Sequence, residues 1–424
     1  MKTENNIKHK SSSDYKVASV FAVVWLMYVM NTVIAWYPFP FNTIVMLIGT
    51  IGVISMTLIM TRHKIDTKRQ VIISLTILYC IIELTLRGST RVVISLVYTF
   101  IPFMCIILWP VNALRSTYEL FRKVVLFFAL GSSVIVILYY LGILSMIPSY
   151  ELFPKSILHS NWGDVYNVYI VFPELVSATG LFYRRACGFC LEPGHFSIVL
   201  GFVYLIDRFM QKRINPLIII AGILAFSPAL FLSVFFTEFL NLRRYLKRIV
   251  ISASVFMVSV YAVYSLLPRD IQEIVYYIVY ERNVESLFGA YNESGSLTDA
   301  LDERTNMLGQ EVYAKMKFED RLVGGKGDKD IILSDYRGFI VAKGILCLSV
   351  VILISIIASS GSGYSLMFSL IMTLFMVIVH RAWFFYEPFP YLMAFIATSL
   401  CVRSNQFLKN RGIINKRITS NGIS

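Results

Sequence analysis

The chain has 424 residues, of which 57% are hydrophobic and 15% are charged, and its formal net charge is +13. Soluble domains carry about 25% charged residues, so this composition, with a mean hydropathy of +0.67, excludes a soluble globular protein. Apolar runs of roughly 18–22 residues separate the charge clusters, which is the length that crosses a hydrocarbon core of about 30 Å as a helix. The sequence therefore predicts an all-α polytopic transmembrane protein with about ten to twelve membrane-spanning helices and one large structured extracytoplasmic loop.

The polar residues 1–16 are expected to lie in the cytoplasm, and the first apolar run follows them. That run is too long for the apolar core of a signal peptide and no small-residue cleavage site follows it, so it is predicted to remain as a span. Five spans are predicted within residues 17–146, and the later spans within 195–267 and 338–402. The predicted spans cover residues 17–36, 41–60, 71–86, 92–110, 124–146, 195–210, 249–267, 338–358, 364–380 and 389–402.

Residues 214–241 are predicted to form a short broken hairpin rather than one span. Basic residues lie at both ends of this segment, and Lys and Arg concentrate on the cytoplasmic side of membrane proteins. A single span would place one of the two basic clusters outside. Two short helices broken at Ser227 and Pro228 keep both clusters in the cytoplasm, because proline interrupts a helix.

With this hairpin the basic clusters alternate consistently, and both termini, including the tail 403–424, are predicted to be cytoplasmic. Two long segments, 147–194 and 268–337, are then extracytoplasmic. The second contains nine Lys and Arg against fourteen Asp and Glu, so the positive charge of the whole chain reflects cytoplasmic anchoring and does not indicate nucleic acid. Helical periodicity in this loop predicts a surface helix over 268–280 and a second helix over 299–318, followed by a glycine-rich break.

Two short motifs stand at the ends of these loops. The first is Arg-x-x-Gly-x-x-x-Glu-Pro, at the start of a predicted span, and its members are Arg185, Gly188, Glu192 and Pro193. The second is an Arg at the head of a helix, a Gly-x-Gly turn and a polar residue before a span with an inner glycine, and its members are Arg304, Gly325, Gly327, Asp335 and Gly344. In order, spacing and topology the chain resembles the O-antigen and capsular repeat-unit polymerases of the Wzy type, which are related to the O-antigen ligases. Ligase-like relatives carry a His near the position of Asp335, and this chain does not.

The resemblance implies a glycosyltransferase of the bacterial cytoplasmic membrane. A growing glycan linked to undecaprenyl diphosphate would be transferred, on the outer face, to a hydroxyl of an incoming lipid-linked repeat unit. The implied partners are lipid-linked oligosaccharide repeat units, membrane lipids, and a chain-length regulator and flippase of the same pathway. No nucleic acid, cofactor or metal ion is expected.

The departing diphosphate needs cations, and arginine binds phosphate oxygens through two parallel hydrogen bonds while remaining charged. The resemblance implies that Arg185 and Arg304 stabilise the leaving group. Asp335 and Glu192 are the outer carboxylates nearest these arginines in the sequence, so each is a candidate for taking the proton of the acceptor hydroxyl. A carboxylate beside Arg is a weak base, so Glu192 has the alternative role of orienting Arg185. Further substrate-binding candidates are Arg184, Arg337, Arg381, Gly325 and Gly327.

The pair Cys187 and Cys190 has two alternatives to plain packing. With Glu192 and His195 nearby, these cysteines have the residue types of a zinc site, and they could also form a disulfide. A single CxxC is a weak signal for a metal. We therefore favour packing for the two thiols.

Two further polar segments have both structural and functional interpretations. Glu83 stands near the end of a predicted span and is followed by Arg87 and Arg91. Such a cluster either completes a phosphate site or pairs internally, since charged groups at this depth face a cavity or one another. The aromatic and charged segment 380–388 is expected to lie at the membrane interface or to contact a sugar.

The sequence leaves three alternatives to a polymerase. A ligase would transfer finished polymer to another acceptor. A flippase of lipid-linked oligosaccharide should have charged residues deep in several spans and short loops, and a sensor or assembly protein would not need arginines on the outer face. The few deep charges and the large outer loop favour a surface enzyme.

Overall fold

A computed structural model describes most of the apolar runs and part of the loops. The described residues are 2–30, 41–60, 65–142, 150–151, 166–167, 174–178, 181–190, 193–211, 214–225, 227–239, 312–325, 336–381 and 387–410, with the single residues 265, 269 and 272. They are predominantly helical. The predicted span 249–267 and the predicted surface helix 268–280 lie almost entirely outside them.

Helices cover most of each predicted span except 249–267, and several of them extend beyond the apolar run. Within the described ranges they are α1 (Lys2–Val29), α2 (Phe41–Met60), α3 (Thr67–Arg87), α4 (Thr90–Ile107), α5 (Val111–Tyr140), α6 (Pro193–Gln211), α7 (Pro216–Leu224), α8 (Pro228–Phe239), α9 (Phe318–Val323), α10 (Tyr336–Ser359), α11 (Tyr364–Arg381) and α12 (Phe389–Asn410). In this part of the chain, four helices are long and apolar enough to cross a membrane, and they cover Asn42–Met60, Thr67–Arg87, Val111–Tyr140 and Tyr336–Ser359. A helical membrane protein is thereby confirmed, while the number of spans and the loop sizes stay predictions.

Short strands lie in the segment predicted as the first extracytoplasmic loop. β1 (Tyr150–Glu151) pairs with β2 (Tyr166–Asn167), and β3 (Glu174–Ala178) pairs with β4 (Leu181–Arg185), both in antiparallel register. The sequence analysis does not predict these pairs. They matter for the site because β4 ends at Arg185, at the start of the first motif.

The segment predicted as a broken hairpin consists of two helices, α7 and α8. Each begins with a proline, which suits the first helical turn, and the side chain of Asn215 caps α7 by accepting a hydrogen bond from the N–H of Leu217 at 3.0 Å. Near the far end of α8, Glu238 pairs with Arg208 of α6, and the closest N–O distance is 2.5 Å. Since α7 begins shortly after α6 ends, both ends of the hairpin lie beside the end of α6.

Polar contacts define two ends of the helical bundle. Lys68, at the start of α3, donates hydrogen bonds to the carbonyl oxygens of Ala358 and Ser360 (2.8 and 2.7 Å) and to Oγ1 of Thr398 (2.7 Å). We call this the Lys68 end. Arg87 is the last residue of α3 and marks the Arg87 end, about 29 Å further along the helix at 1.5 Å per residue. The predicted topology makes the Lys68 end cytoplasmic and the Arg87 end extracytoplasmic, and the side that each end faces stays a prediction.

Helix α6 is the centre of the core. Every residue from Pro193 to Asp207 is buried, which is expected of a helix that is apolar on all sides. The carboxylate at the end of this stretch, Asp207, is satisfied by the Arg122 guanidinium at 2.6 Å and by the Tyr118 hydroxyl at 2.7 Å. The first motif therefore leads directly into a helix with a long, fully buried stretch.

Candidate functional site

Arg185 lies at the junction of β4 and a buried turn. Only 7% of its surface is exposed, and each residue from Ala186 to Cys190 is buried. The N–H of Ala186 donates a hydrogen bond to the carbonyl oxygen of Leu224 at 2.8 Å, at the break in the hairpin. Ala186 also packs with Val136 near the end of α5. A backbone hydrogen bond and core packing thus hold the arginine against the bundle.

The glycine of the first motif has a structural explanation. Gly188 has a φ of +57°, in the left-handed region that favours glycine, and the N–H of Cys190 closes the turn onto the carbonyl oxygen of Cys187 at 3.0 Å. A Cβ at Gly188 would lie 2.3 Å from the ring of Phe196. Any larger residue would therefore push the turn away from α6 and would move Arg185 with it.

A buried carboxylate at the Arg87 end pairs with two cations. Glu83 is fully buried, and its side chain accepts hydrogen bonds from Arg87 Nη1 and from Lys343 Nζ, the latter at 2.8 Å. The Cys347 thiol lies 3.2 Å from the same carboxylate. Internal pairing is thus the interpretation that the structure supports for Glu83 and Arg87, and the three charges leave one net positive charge. Lys343 belongs to neither sequence motif, although a lysine inside a predicted span is a signal for such a partner.

The end of the long predicted loop contacts α10 and Arg87, next to the Glu83 network. Gly344 has φ +79° and ψ 163° and kinks α10, and a Cβ there would lie 2.4 Å from the carbonyl oxygen of Leu322. The N–H of Gly325 donates to the carbonyl oxygen of Val341 at 2.9 Å, and Arg87 Nη2 donates to that of Val323 at 2.5 Å. Arg87 therefore joins the loop end to α3, next to its pairing with Glu83.

Part of the second predicted loop helix is also seen. Residues 312–315 are helical, and the helix predicted over 299–318 is interrupted at 316–317, before α9 begins. Met316 is buried and packs with Val341 of α10. This described part of the loop therefore docks on α10.

Glu387 lies in the connection between α11 and α12 and was not singled out from the sequence beyond the aromatic segment 380–388. The residue is partly buried, and its Oε2 atom is shielded from solvent. Burial raises the pKa of this carboxyl to about 7, and the nearby Lys343 ammonium opposes that shift. The carboxyl with this raised pKa interacts electrostatically with Lys343 of the Glu83 network.

The predicted site residues are only partly covered by the structure. Arg337 is buried, at 9% exposure, and lies six residues before Lys343 on α10, about 9 Å along the helix axis. The backbones of Arg184 and Arg381 are described, as the fourth residue of β4 and the last residue of α11. Arg304, Asp335, Glu192 and Gly327 lie outside the described residues.

Gly325 and α10 are brought together with Arg87, whereas Arg185 lies against α5 and the hairpin. These groups occupy two parts of the Arg87 end.

The two cysteines of the first motif are both buried thiols. Within the described ranges, no three His, Cys, Asp or Glu side chains come together as a metal site would require. Glu192 belongs to the candidate zinc set and lies outside those ranges.

Comparison with protein-family models, with curated proteins and with solved structures gives no match. The function must therefore be argued from the site. Its described parts are a buried arginine held by a fixed turn, a second buried arginine on α10, paired cations around Glu83, and a carboxyl whose pKa lies near neutrality.

Proposed function

We propose that the chain is a membrane glycosyltransferase that polymerises lipid-diphosphate-linked oligosaccharide repeat units into a surface polysaccharide. In this reaction an acceptor sugar hydroxyl attacks the anomeric carbon of the growing chain. The bond from that carbon to the diphosphate oxygen breaks, and undecaprenyl diphosphate departs. The reaction would occur at the Arg87 end, taken as extracytoplasmic.

The observation that carries the proposal is the burial of Arg185 in a turn that is hydrogen-bonded to the hairpin. A cation fixed in a low-dielectric bundle attracts a diphosphate more strongly than one in water, and it needs little reorganisation during the reaction. The guanidinium fork also matches the geometry of phosphate oxygens. Arg185 is therefore proposed to bear the charge that develops on the leaving group.

The other predicted residues keep their roles as parts of the proposal. Arg304 is proposed as the second cation for the diphosphate, and Arg337, which is buried on α10, is proposed as a substrate contact. Arg184, Arg381, Gly325 and Gly327 are proposed to contact the substrate. Asp335 and Glu192, the outer carboxylates nearest these arginines in the sequence, remain candidates for the base.

Deleting the gene in its native host and resolving the surface glycan on a gel tests this proposal. The expected result is a single repeat unit in place of a ladder of polymer lengths. Loss of all outward repeat units would identify a flippase, and polymer of normal length retained on its lipid carrier would identify a ligase. A ladder identical to that of the parent strain would remove any role in polymer synthesis.

Complementing the deletion strain separates the site from the rest of the protein. Arg185→Ala and Arg304→Ala are expected to leave the single repeat unit while the amount of protein in the membrane is unchanged. The control is Arg115→Ala, because Arg115 is exposed and lies near the start of α5. If both test variants still give an intact ladder, Arg185 and Arg304 do not stabilise the departing diphosphate.

A further inference from the structure

The proposed binding of the diphosphate by Arg185 and Arg304 gives no role to the side chain of Glu387. Its Oε2 atom is shielded from solvent and has no hydrogen-bond partner among the described residues. Buried polar atoms are usually paired, because leaving one unpaired is costly. An unpaired carboxyl oxygen at a candidate site therefore calls for a ligand or for a chemical role.

The surroundings of this carboxyl combine one cation with two hydroxyls. Lys343 of α10 faces it electrostatically, as do Tyr28 of α1 and Tyr391 of α12. Lys343 is itself held 2.8 Å from Oε2 of Glu83. The ammonium thus pairs directly with Glu83 and interacts electrostatically with Glu387, whose Oε2 atom has no hydrogen-bond partner among the described residues.

The position of Lys343 links Glu387 to the loop end. Lys343 directly precedes the Gly344 kink, and a Cβ on Gly324 would lie 2.7 Å from the Lys343 carbonyl carbon. The carboxyl at 387, the ammonium at 343 and the end of the long loop therefore meet in one region.

We propose that Glu387 is the general base of the transfer, taking the proton from the acceptor sugar hydroxyl as that oxygen bonds to the anomeric carbon. This inference rests on the proposed function. The C–O bond to the diphosphate breaks in the same step, the leaving undecaprenyl diphosphate carries the electron pair, and Glu387 becomes a neutral carboxylic acid. The proton is then released to solvent.

The environment suits this role. A general base works best when its pKa is near the operating pH, and burial places the pKa of Glu387 at about 7. The Lys343 ammonium favours the ionised form, so part of the population is ready to accept a proton. A carboxylate paired directly with arginine is a weaker base.

The test uses the full-length protein reconstituted in lipid vesicles, with single lipid-linked repeat units extracted from the deletion strain as the substrate. Glu387→Gln keeps the size of the side chain and removes the base, so kcat should fall by about 100-fold or more, with little change in KM. Glu387→Asp retains a carboxylate and should recover part of the rate. The control is Glu119→Gln, because Glu119 is exposed on α5.

The pH profile supplies a second readout that a structural role would not change. The wild-type rate should rise with pH through about 7 and then level off, because the ionised carboxyl is the active form. The residual rate of Glu387→Gln should lack this rise. If that variant does not fold, the wild-type profile decides, and a rate independent of pH across this range would overturn the proposal.

The outcomes distinguish this inference from the proposed function. If the wild-type protein polymerises the repeat units and Glu387→Gln is equally active, Glu387 is not the base and the proposed polymerase function stands. If the folded wild-type protein does not elongate the repeat units, both the proposed polymerase function and the role of Glu387 as its base are wrong.

Discussion

Gly324 and Gly344 pack backbone against backbone: a Cβ built on Gly324 would lie 2.4 Å from the amide nitrogen of Gly344. The hydrogen bond from Gly325 to Val341 continues this contact. The end of the long loop and the kink of α10 therefore form one structural unit, and Lys343 lies inside it.

Replacing Gly344 with alanine should destabilise the protein. Its φ of +79° and ψ of 163° lie in a region that is essentially restricted to glycine, at a cost of about 1–3 kcal/mol for other residues. The added Cβ would also meet the Leu322 carbonyl oxygen. The melting temperature of the purified protein in detergent measures the effect.

Gly363→Ala is the matched control for this substitution, because a Cβ there meets open space. It should shift the melting temperature much less than Gly344→Ala. Equal melting temperatures for the two variants would show that the close contact between the loop end and α10 is absent from the folded protein.

The Glu83 network should behave as a coupled unit. Glu83→Gln leaves two cations without their carboxylate, and removing one partner of a buried pair costs about 3–5 kcal/mol. Lys343→Gln should be less damaging, because Arg87 still pairs with Glu83. A double-mutant cycle measured by thermal unfolding tests this coupling. The variant that carries both Glu83→Gln and Lys343→Gln should lose less stability than the sum of the two single losses.

The Arg208–Glu238 pair joins α6 to α8 and is a separate contact. Combining Glu83→Gln with Glu238→Gln should give nearly additive losses, because the two sites share no partner. Additive losses within the Glu83–Lys343 cycle itself would mean that the ammonium and the carboxylate do not interact.

The topology can be tested with single cysteines at exposed positions. Glu319 is exposed on α9 near the Arg87 end, and Gly363 is exposed beyond the Lys68 contact to Ser360. In intact cells, a membrane-impermeant maleimide should label Glu319→Cys, and it should label Gly363→Cys only after the cells are permeabilised. The unmodified protein gives the background from its native cysteines, and the reversed labelling pattern would invert the predicted orientation.

The sequence predicts the helices well because their physical cause is local. The length of an apolar run decides whether it can cross a membrane, and the basic residues on both sides of 214–241, with Pro228 between them, are enough to predict two short helices. The strands β3 and β4 are missed because they belong to a loop without a long periodic pattern.

The candidate site is less predictable because it depends on contacts that are distant in the sequence. Lys343 and Glu83 are separated by 260 residues, so their pairing cannot be read from either segment alone. The motif identifies Gly188, but the need for a glycine there comes from its packing against the ring of Phe196. Glu387 stands in an aromatic segment that is typical of the membrane interface, so the sequence gives no sign that its carboxyl oxygen is shielded from solvent.

The central claim is that Arg185 stabilises the departing lipid diphosphate, and the most direct measurement is the rate at which the reconstituted protein elongates extracted lipid-linked repeat units. Arg185→Ala should reduce kcat by about 100- to 1,000-fold, as removal of one stabilising donor does in other transfer enzymes. Arg185→Lys should recover part of the rate, because it keeps the charge and loses the fork. Arg115→Ala should match the wild type. A folded Arg185→Ala protein that elongates repeat units at the wild-type rate would contradict the claim.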